Sequence, residues 1–345
     1  MFEALLYEKN GVNNSVLCKL CSHYCEIKSG NYGICGVRQN IGGELFSLSY
    51  GNSSGFAIDP IEKKPLYHFK PGTKVLSFGT QGCNFHCSNC QNWQLSQEKC
   101  KSLNIEKNYS PDYIASLALK YEFDGIAYTY SEPTIFFEYA RDTILKFREF
   151  YPQKNYFHIF VSNGFMSKET LDFIEKEELI SAINIDLKFM DDSGYKKITG
   201  GNLKPVLENI KRLNEMNEFI HLEITNLLLP NENDSKDDIK HLVDFIANLN
   251  NEIPLHISRF YPNYRMKDKE ATGIDKLLLA KEIAESAGLK YIYIGNTGLE
   301  KVSNTFCPNC NELLIKRNNY NIKFENMNLS KKQCKKCETK INLIL

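Results

Sequence analysis

The sequence predicts an α/β protein built on a partial, open parallel β/α barrel, with small cysteine-rich metal-binding segments at both ends. The middle of the chain alternates strand-like runs with helical patterns, which implies parallel strands joined by right-handed helical crossovers. About six or seven such units are present, fewer than a closed eight-fold barrel requires. Eleven of the 12 cysteines fall into three tight groups. We therefore expect a cysteine-rich segment over 1–72, the partial barrel over 73–300 and a zinc-ribbon-like domain over 301–345.

The predicted strands and helices follow one another in order along the middle region. The strand-like runs cover 74–80, 125–130, 156–163, 182–189, 219–229 and 254–260, with 290–295 as a further candidate. Helical patterns follow at 110–121, 134–150, 167–177, 203–217, 234–249 and 273–288. The first helix begins at Ser110, a residue type that favours the N-cap, and Pro111 suits the first helical position.

Composition excludes several classes of partner. The 42 basic and 42 acidic residues give a formal net charge of zero, so nothing in the charge balance favours nucleic acid or an anionic membrane. The sequence has no apolar run near the ~18 residues of a membrane span. Glu3 and Glu8 lie among the first apolar residues, which is unlike a secretory signal. We expect a cytoplasmic protein.

The cysteines favour metal binding over disulfide bonds, because disulfide scaffolds are short and secreted. The three groups are Cys18, Cys21, Cys25 and Cys35; Cys83, Cys87 and Cys90; and Cys307, Cys310, Cys334 and Cys337. Cys100 stands apart from them, and we expect it to be an ordinary free thiol.

The group of three cysteines is the most informative, because a structural zinc site needs four ligands. These cysteines directly follow the first predicted strand, and polar clusters follow the next three strands as "YSEPT", "SNGF" and "DLK". The carboxyl ends of parallel strands meet on one rim, where α/β folds place their sites. Three thiolates can hold three irons of a [4Fe–4S] cluster and leave the fourth iron open for another ligand.

Simpler interpretations exist for each of these residues. His86 could complete a zinc site, although adjacent His86 and Cys87 would strain one tetrahedron. Glu132 could cap a helix. Asp186 and Lys188 could form a surface ion pair along a strand. A histidine in an apolar strand, such as His256, is more often a satisfied core residue than a ligand.

The stretch "CNFHCSNC" resembles the C-x3-C-x2-C motif of radical S-adenosylmethionine (SAM) enzymes. Further stretches, including "CKLCSHYCEIKSGNYGICGVRQN", "DPIEKKPLYHFKPG", "AYTYSEPTIF", "LEITNLLLP", "PLHISRFYP" and "NTFCPNC", resemble the radical SAM member of the AmmeMemoRadiSam set. That subgroup is similar to pyruvate formate-lyase activating enzymes, and the resemblance runs from Cys18 to Cys337.

The resemblance implies an oxidoreductase-type enzyme with a [4Fe–4S] cluster and SAM as cofactors. The cluster would cleave SAM reductively to a 5′-deoxyadenosyl radical, which abstracts hydrogen from an unidentified substrate. That substrate is a small molecule or, as for activating enzymes of glycyl radical enzymes, a protein glycine. The resemblance also implies an external electron donor such as flavodoxin or ferredoxin, and partner proteins of the same gene set.

The resemblance also assigns roles to individual residues. Cys83, Cys87 and Cys90 take the cluster-ligand positions. The remaining SAM-pocket candidates are Ser131 and Glu132 toward the amino group, Asp186 and Lys188 toward the ribose and carboxylate, Ser162 and Asn163 as lining residues, and His256 as a weaker candidate. Two positions depart from the family pattern: Asn89 replaces an aromatic residue near the adenine, and Val161 replaces an aspartate that helps to bind a monovalent cation.

The terminal cysteine groups predict two further metal sites. Cys307, Cys310, Cys334 and Cys337 form two C-x2-C knuckles typical of a zinc ribbon, although electron transfer is an alternative. Cys18, Cys21, Cys25 and Cys35 fit either zinc or an auxiliary iron–sulfur cluster, and the absence of a ferredoxin-like run favours zinc.

A different class of function is a zinc-ribbon scaffold or nucleic-acid adaptor. The neutral charge and the converging rim residues favour the enzyme.

Overall fold

The computed structural model describes residues 1–10, 13–97 and 108–345. Its strands are β1 (Phe2–Glu3), β2 (Tyr7–Asn10), β3 (Ser15–Cys18), β4 (Glu26–Ile27), β5 (Arg38–Ile41), β6 (Glu44–Ser47), β7 (Ser53–Pro60), β8 (Lys74–Thr80), β9 (Gly125–Tyr128), β10 (Phe157–Ser162), β11 (Ala182–Asp186), β12 (His221–Leu228), β13 (Leu255–Arg259), β14 (Ile292–Gly295), β15 (Thr305–Phe306), β16 (Leu313–Asn318), β17 (Asn321–Phe324), β18 (Met327–Asn328) and β19 (Gln333–Cys334). Its α-helices are α1 (Trp93–Ser96), α2 (Pro111–Ser116), α3 (Phe137–Phe150), α4 (Lys168–Lys176), α5 (Asp192–Gly194), α6 (Leu203–Glu215), α7 (Lys236–Asn250) and α8 (Ile274–Ser286).

The central sheet has eight strands in the order β14-β13-β12-β11-β10-β9-β8-β7. Strands β8 to β14 pair in parallel, each with the next one in the chain, as right-handed βα units require. The predicted α/β fold with an open parallel barrel is confirmed. All seven predicted strands are present, although most are shorter than their sequence patterns because their ends carry the polar residues of the rim.

One edge of this sheet is covered by β7, which runs antiparallel to β8. This strand lies within the predicted N-terminal segment, yet it pairs with the barrel sheet. Its sequence contains Gly55, Asp59 and Pro60 and has no strand-like apolar run, so the pattern gave no sign of it. Pairing satisfies the exposed backbone groups along β8, which would otherwise be an open sheet edge.

The flanking segments form small antiparallel sheets. The N-terminal sheets have the orders β1-β6-β5 and β2-β3-β4, and the C-terminal ones have the orders β15-β16-β17 and β18-β19. Arg38 and Glu138, both buried, form an ion pair that joins β5 to α3. Such small sheets bury little core of their own, so these contacts and bound metal are expected to fix their positions.

Local capping agrees with the sequence. Ser110 is the N-cap of α2 and accepts a hydrogen bond from the Tyr113 backbone at 3.2 Å, with Pro111 at the first helical position. Ser235 forms a reciprocal capping box with Asp238 at the start of α7. No helix in the described part of the chain has the length and apolar character needed to cross a membrane.

Candidate active site

The loop that carries Cys83, Cys87 and Cys90 follows β8, at the carboxyl end of the parallel sheet. Phe85 anchors this loop, because its ring is buried between Phe165 and Tyr195 at centroid distances of 5.0 and 6.2 Å. Backbone N–H groups of the loop bind carbonyl oxygens of the segment before α6, at 2.7 and 2.9 Å. The loop is therefore held by apolar packing and backbone hydrogen bonds that do not depend on its thiols.

A cavity of about 490 Å³ opens beside this loop at the strand ends. The residues predicted from sequence that line it are Cys83, Cys87, Cys90, Ser131, Glu132, Ser162, Asn163, Asp186 and Lys188. Asn89 and Val161, the two positions that depart from the family pattern, also line it. The structure thus brings together residues from four strand ends that lie far apart in the chain.

Glu132 is buried and its carboxylate is held by the protein itself. Its Oε1 accepts hydrogen bonds from the Thr134 backbone at 3.0 Å, the Thr134 hydroxyl at 2.6 Å and the Ser162 hydroxyl at 2.8 Å, while its Oε2 accepts from the Asn163 backbone at 2.8 Å. Glu132 is also the N-cap of a 3₁₀ turn that begins at Pro133, as the simpler interpretation proposed. Burial raises its pKa, and these donors oppose the rise. Since Oε2 has one protein donor, it retains capacity for another.

Asp186 and Lys188 form an ion pair at the end of β11, with Lys188 Nζ 3.0 Å from Asp186 Oδ2. The lysine side chain is 20% exposed and the aspartate 40%. Burial lowers the pKa of Lys188. The Asp186 carboxylate and the Cys87 sulfur raise this pKa by more than burial lowers it, so the net shift is upward. The ammonium therefore stays charged beside the cluster loop.

The cavity contains polar atoms that the described protein leaves without partners. Ser131 Oγ and Asn89 Oδ1 are both buried and have no hydrogen-bond partner among the residues that the structure describes. A buried polar atom without a partner costs stability, so each is suited to a bound molecule. Burial also raises the pKa of Cys83 and Cys87, the latter to about 11, so metal binding must displace their protons. Three convergent thiols and these unpaired atoms fit an iron–sulfur cluster with a polar ligand.

His256 does not reach this cavity. It lies on β13, buried inside the sheet, with Nε2 2.6 Å from Glu223 Oε2. Glu223 also accepts from His221 at 3.0 Å and from the backbone N–H groups of Tyr67 and His68 at 3.0 and 2.7 Å. His256 therefore occupies a buried network around Glu223, the satisfied core position considered in the sequence analysis.

This network, which we call the Glu223 network, extends to the end of the chain. His68 Nδ1 lies 2.5 Å from the Asn342 carbonyl oxygen, and its Nε2 lies 2.5 Å from the Tyr293 hydroxyl. The Ile344 backbone exchanges hydrogen bonds with His68 and Lys70 at 2.8 and 2.7 Å. The last residues of the chain therefore complete a buried polar cluster under the sheet.

Several residues at the cavity have no role predicted from the sequence. Lys64 lines it and pairs with Asp59 at 2.7 Å, and the Tyr130 hydroxyl donates to the same carboxylate at 2.6 Å. Tyr320, in the turn between β16 and β17, also lines the cavity. Asp59 and Lys64 lie in the stretch "DPIEKKPLYHFKPG", which carries part of the family resemblance, so the sequence contained a signal for both residues. No sequence pattern identified Tyr320.

Residues 78–246 match the family model described as the radical SAM superfamily. These residues therefore form a radical SAM domain. The chain is 42% identical, over the whole of both chains, to an uncharacterised protein of Methanocaldococcus jannaschii. It is 24% identical over 225 residues to the pyruvate formate-lyase-activating enzyme of Clostridium pasteurianum, covering 60% of this chain and 87% of that enzyme.

Among solved structures, the radical SAM chain is similar to a radical SAM methyltransferase from Sphaerobacter thermophilus. The TM-score is 0.50 and the sequence identity 13%, with 66% of this chain and 67% of that one covered. This likeness concerns the fold alone. The assignment of the partial barrel as a radical SAM domain rests on the match of residues 78–246 to the family model.

The C-terminal thiols of this radical SAM protein form a compact group. The Sγ atoms of Cys307, Cys310, Cys334 and Cys337 all lie within 4.8 Å of one another, with separations of 3.5 Å for Cys307–Cys337 and 3.7 Å for Cys310–Cys334. A tetrahedral zinc with Zn–S bonds of about 2.3 Å places its sulfurs about 3.8 Å apart. Hydrogen bonds from Thr339 lower the pKa of Cys337 to about 6, which favours the thiolate form. The geometry therefore fits a metal ion, and zinc is the metal we propose.

Replacing Cys310 by serine is expected to lower zinc content and to reduce the melting temperature by roughly 3–6 °C, because a structural metal contributes folding free energy. Metal analysis and differential scanning fluorimetry measure the two effects. Iron content should stay at the wild-type level. Lys336→Ala, which removes an exposed lysine next to the same site, serves as the control and should retain zinc. Wild-type protein that contains iron but no zinc would contradict this assignment.

Cys100 lies outside the described residues. The four N-terminal thiols are all described, and burial raises the pKa of Cys18, Cys21 and Cys35, the last to about 12. The guanidinium of Arg38 opposes this rise at Cys18 and Cys35. Cys18 and Cys35 therefore lie near a buried positive charge.

Proposed function

We propose that this protein is an enzyme that cleaves SAM reductively and uses the resulting radical to abstract hydrogen from a substrate. The observation that carries the proposal is the cavity at the strand ends, where three thiols meet a charged rim and unpaired buried polar atoms. A scaffold protein would have no need of such a cavity, since each unpaired buried atom costs stability.

Cys83, Cys87 and Cys90 would hold a [4Fe–4S] cluster through three of its irons. When bound, the cluster supplies the electron that cleaves SAM to methionine and a 5′-deoxyadenosyl radical. The protein's part is to hold the loop in place through Phe85. The N–H group of Phe85 points at Cys83 Sγ, 3.4 Å away, and such hydrogen bonds tune the potential of iron–sulfur clusters.

The rim residues have complementary roles toward SAM. Lys188 would pair with the SAM carboxylate, since its raised pKa keeps it charged. Glu132 Oε2 would accept from the ammonium group of SAM. Ser162 and Asn163 would hold the Glu132 carboxylate in position and would not contact SAM through free side-chain atoms. Asp186 would accept from the ribose hydroxyls. These roles provide partners for the ammonium, the carboxylate and the ribose of SAM.

Asn89 and Ser131 would complete the pocket through their unpaired oxygens. Asn89 stands where the family often has an aromatic residue near the adenine, and its Oδ1 is suited to accept from the adenine amino group. Ser131 lies beside Glu132 and would bind near the methionine end. In this proposal a hydrogen bond from the adenine amino group to Asn89 Oδ1 replaces the aromatic contact.

We propose two candidate classes of substrate. The similarity to pyruvate formate-lyase-activating enzymes supports a protein glycine as one candidate, and the resemblance to the AmmeMemoRadiSam set makes the proteins of that gene set the first to try. A small molecule is the other candidate. Transfer of deuterium from a labelled substrate into 5′-deoxyadenosine distinguishes them.

Lys188→Ala and Asp186→Ala test the proposal at the SAM rim. Each should weaken SAM binding about ten-fold to over a hundred-fold, because a charge-assisted contact is worth about 1.5–3 kcal/mol. Anaerobic equilibrium dialysis measures the affinity, and chromatography measures 5′-deoxyadenosine formed with dithionite. Iron content should not change, since no thiol is altered.

The matched control is Lys197→Ala, which removes a lysine that is 65% exposed and paired with Glu232 away from the cavity. It should bind SAM like the wild type. If Lys188→Ala and Asp186→Ala also bind SAM normally and form 5′-deoxyadenosine at the wild-type rate, this rim is not the SAM site.

A further inference from the structure

The four N-terminal cysteines lie around one point in the small sheet β2-β3-β4 and the turn that follows it. The Cys18 backbone N–H donates to the Cys25 carbonyl oxygen at 2.9 Å, which closes the loop that contains Cys21. A Cβ atom on Gly33 would lie 3.9 Å from Cys25 Sγ and 3.9 Å from the Arg38 Cβ. Gly33 therefore lies beside both the Cys25 thiol and the start of the Arg38 side chain.

The spacing of these thiols differs from that of the C-terminal group. Within residues 1–10, 13–97 and 108–345, the C-terminal cysteines are the one set of three or more ligand side chains whose donor atoms all lie within 4.8 Å of one another. A single zinc ion needs that spacing. An iron–sulfur cluster separates its thiolates more widely, because each sulfur binds a different iron.

Arg38 supplies an independent observation. It is 1% exposed, and one of its amino groups pairs with Glu138. Its Nε and Nη1 atoms are buried and have no hydrogen-bond partner in the described part of the chain. A guanidinium does not lose its proton, so these N–H groups need an acceptor. Sulfur atoms of an anionic cluster beside Cys18 and Cys35 would provide it.

The segment that carries the N-terminal thiols also lies against the loop that holds the three active-site cysteines. A Cβ atom on Gly82 would lie 2.7 Å from the Cys35 carbonyl oxygen, and Gly82 has φ +89°, so the two segments meet at a position that only glycine fits well. On the other side of Cys83, the Asn84 carbonyl oxygen accepts from His23 Nε2 at 2.8 Å. Both contacts flank Cys83 directly.

The same group reaches the protein surface. Cys25 and Cys35 are half-buried, while Tyr24, Tyr32 and Ile34 are 39%, 45% and 47% exposed. A metal site that faces both solvent and the active-site loop is placed to carry electrons from an external partner to that loop.

We infer that Cys18, Cys21, Cys25 and Cys35 hold a [4Fe–4S] cluster that passes single electrons from a protein reductant of the ferredoxin or flavodoxin class to the Cys83-Cys87-Cys90 site. The relay rests on the proposed function, whereas the metal assignment does not. The reductant loses one electron, the N-terminal cluster goes from the 2+ to the 1+ state and back, and the active-site cluster gains that electron. No covalent bond or proton changes place.

The metal assignment is tested in a chain that lacks the active-site ligands, Cys83→Ala/Cys87→Ala/Cys90→Ala. After anaerobic reconstitution this variant should retain about four irons and four sulfides per chain. Its reduced electron paramagnetic resonance signal should not respond to SAM. Adding Cys18→Ser and Cys21→Ser should remove that iron. A triple variant that contains no iron and a second zinc would overturn the assignment, whether or not the wild type cleaves SAM.

The relay is tested in the full chain with Cys18→Ser/Cys21→Ser and an intact active-site loop. With reduced ferredoxin or flavodoxin, 5′-deoxyadenosine formation should fall at least ten-fold, while with dithionite it should stay within two-fold of the wild type. If 5′-deoxyadenosine formation falls by the same factor with both reductants, or stays unchanged with both, the relay is contradicted. Failure of the wild type with both reductants would instead refute the proposed function.

The role of Arg38 is tested by the reduction potential of the N-terminal cluster in the triple variant. Arg38→Gln is combined with Glu138→Gln so that no buried carboxylate is left unpaired, and Glu138→Gln alone is the matched control. Loss of the positive charge and its N–H donors should shift the potential to a more negative value than in the control. An unchanged potential would contradict contact between Arg38 and the cluster.

Discussion

Replacing Cys83, Cys87 and Cys90 together by alanine is expected to reduce 5′-deoxyadenosine formation to the level of the reaction without enzyme. The iron of the active site loses all its protein ligands, and no other cysteine lines the cavity among the described residues. The fold should persist because Phe85 and the backbone hydrogen bonds hold the loop. Chromatography of SAM products with dithionite as reductant, alongside a thermal melt, checks both expectations.

His86→Ala is the matched control within the same loop. His86 is exposed and its Nδ1 lies 2.9 Å from Gln97 Oε1. Iron content and SAM cleavage should therefore match the wild type, and the wild-type cluster signal should shift when SAM is added. If His86→Ala loses the metal, the site is the alternative zinc tetrahedron. If the triple variant still cleaves SAM, the cluster has been assigned to the wrong cysteines.

Glu223→Ala is expected to lower the free energy of unfolding by about 3–5 kcal/mol, since removing one partner leaves other buried polar groups unpaired. Glu223 is fully buried and accepts hydrogen bonds from two histidines and from the backbone N–H groups of Tyr67 and His68. Urea denaturation followed by circular dichroism measures the change.

The same carboxylate predicts a pH dependence. Burial raises the pKa of Glu223, but hydrogen bonds from His221 and His256 lower it further, so the net shift is downward. A carboxyl whose folded pKa is depressed contributes stability above its unfolded pKa of about 4.3 and loses that contribution as the pH falls below it. The wild type should therefore lose more stability below about pH 4.3 than Glu223→Gln does.

Glu62→Gln provides a control at another buried carboxyl. Burial raises the pKa of Glu62, and its Oε2 has no partner among the described residues, although Oε1 accepts from the Gly72 backbone at 2.8 Å. A neutral amide keeps that hydrogen bond, so stability near pH 7 should not fall. A Glu223→Ala variant as stable as Glu62→Gln would show that the network is not a major source of stability.

The sequence predicted most of the architecture because the relevant signals are local. Strands such as β10 and β14 are rich in apolar residues, and the C-x3-C-x2-C spacing is contained in eight residues. The convergence of Glu132, Asp186 and Lys188 on one cavity followed from a general rule about parallel strands.

What the sequence did not predict depends on contacts between distant segments. The partner of His256 is Glu223 on β12, which also binds the backbone before β8, so the role of His256 was not visible in its own strand. The pairing of Arg38 with Glu138 spans a hundred residues. The strand β7 lacks an apolar run because it forms through edge pairing. In each case the deciding interaction is tertiary, and no local pattern records it.

The connection between residues 342–344 and His68 has a consequence for the order of events during synthesis. The Asn342 carbonyl oxygen and the Ile344 backbone are among the groups that close the Glu223 network. These residues follow the barrel along the chain, so the nascent chain can build its N-terminal sheets and most of the barrel before they emerge from the ribosome. Final locking of the buried network must therefore wait until residues 342–344 have emerged.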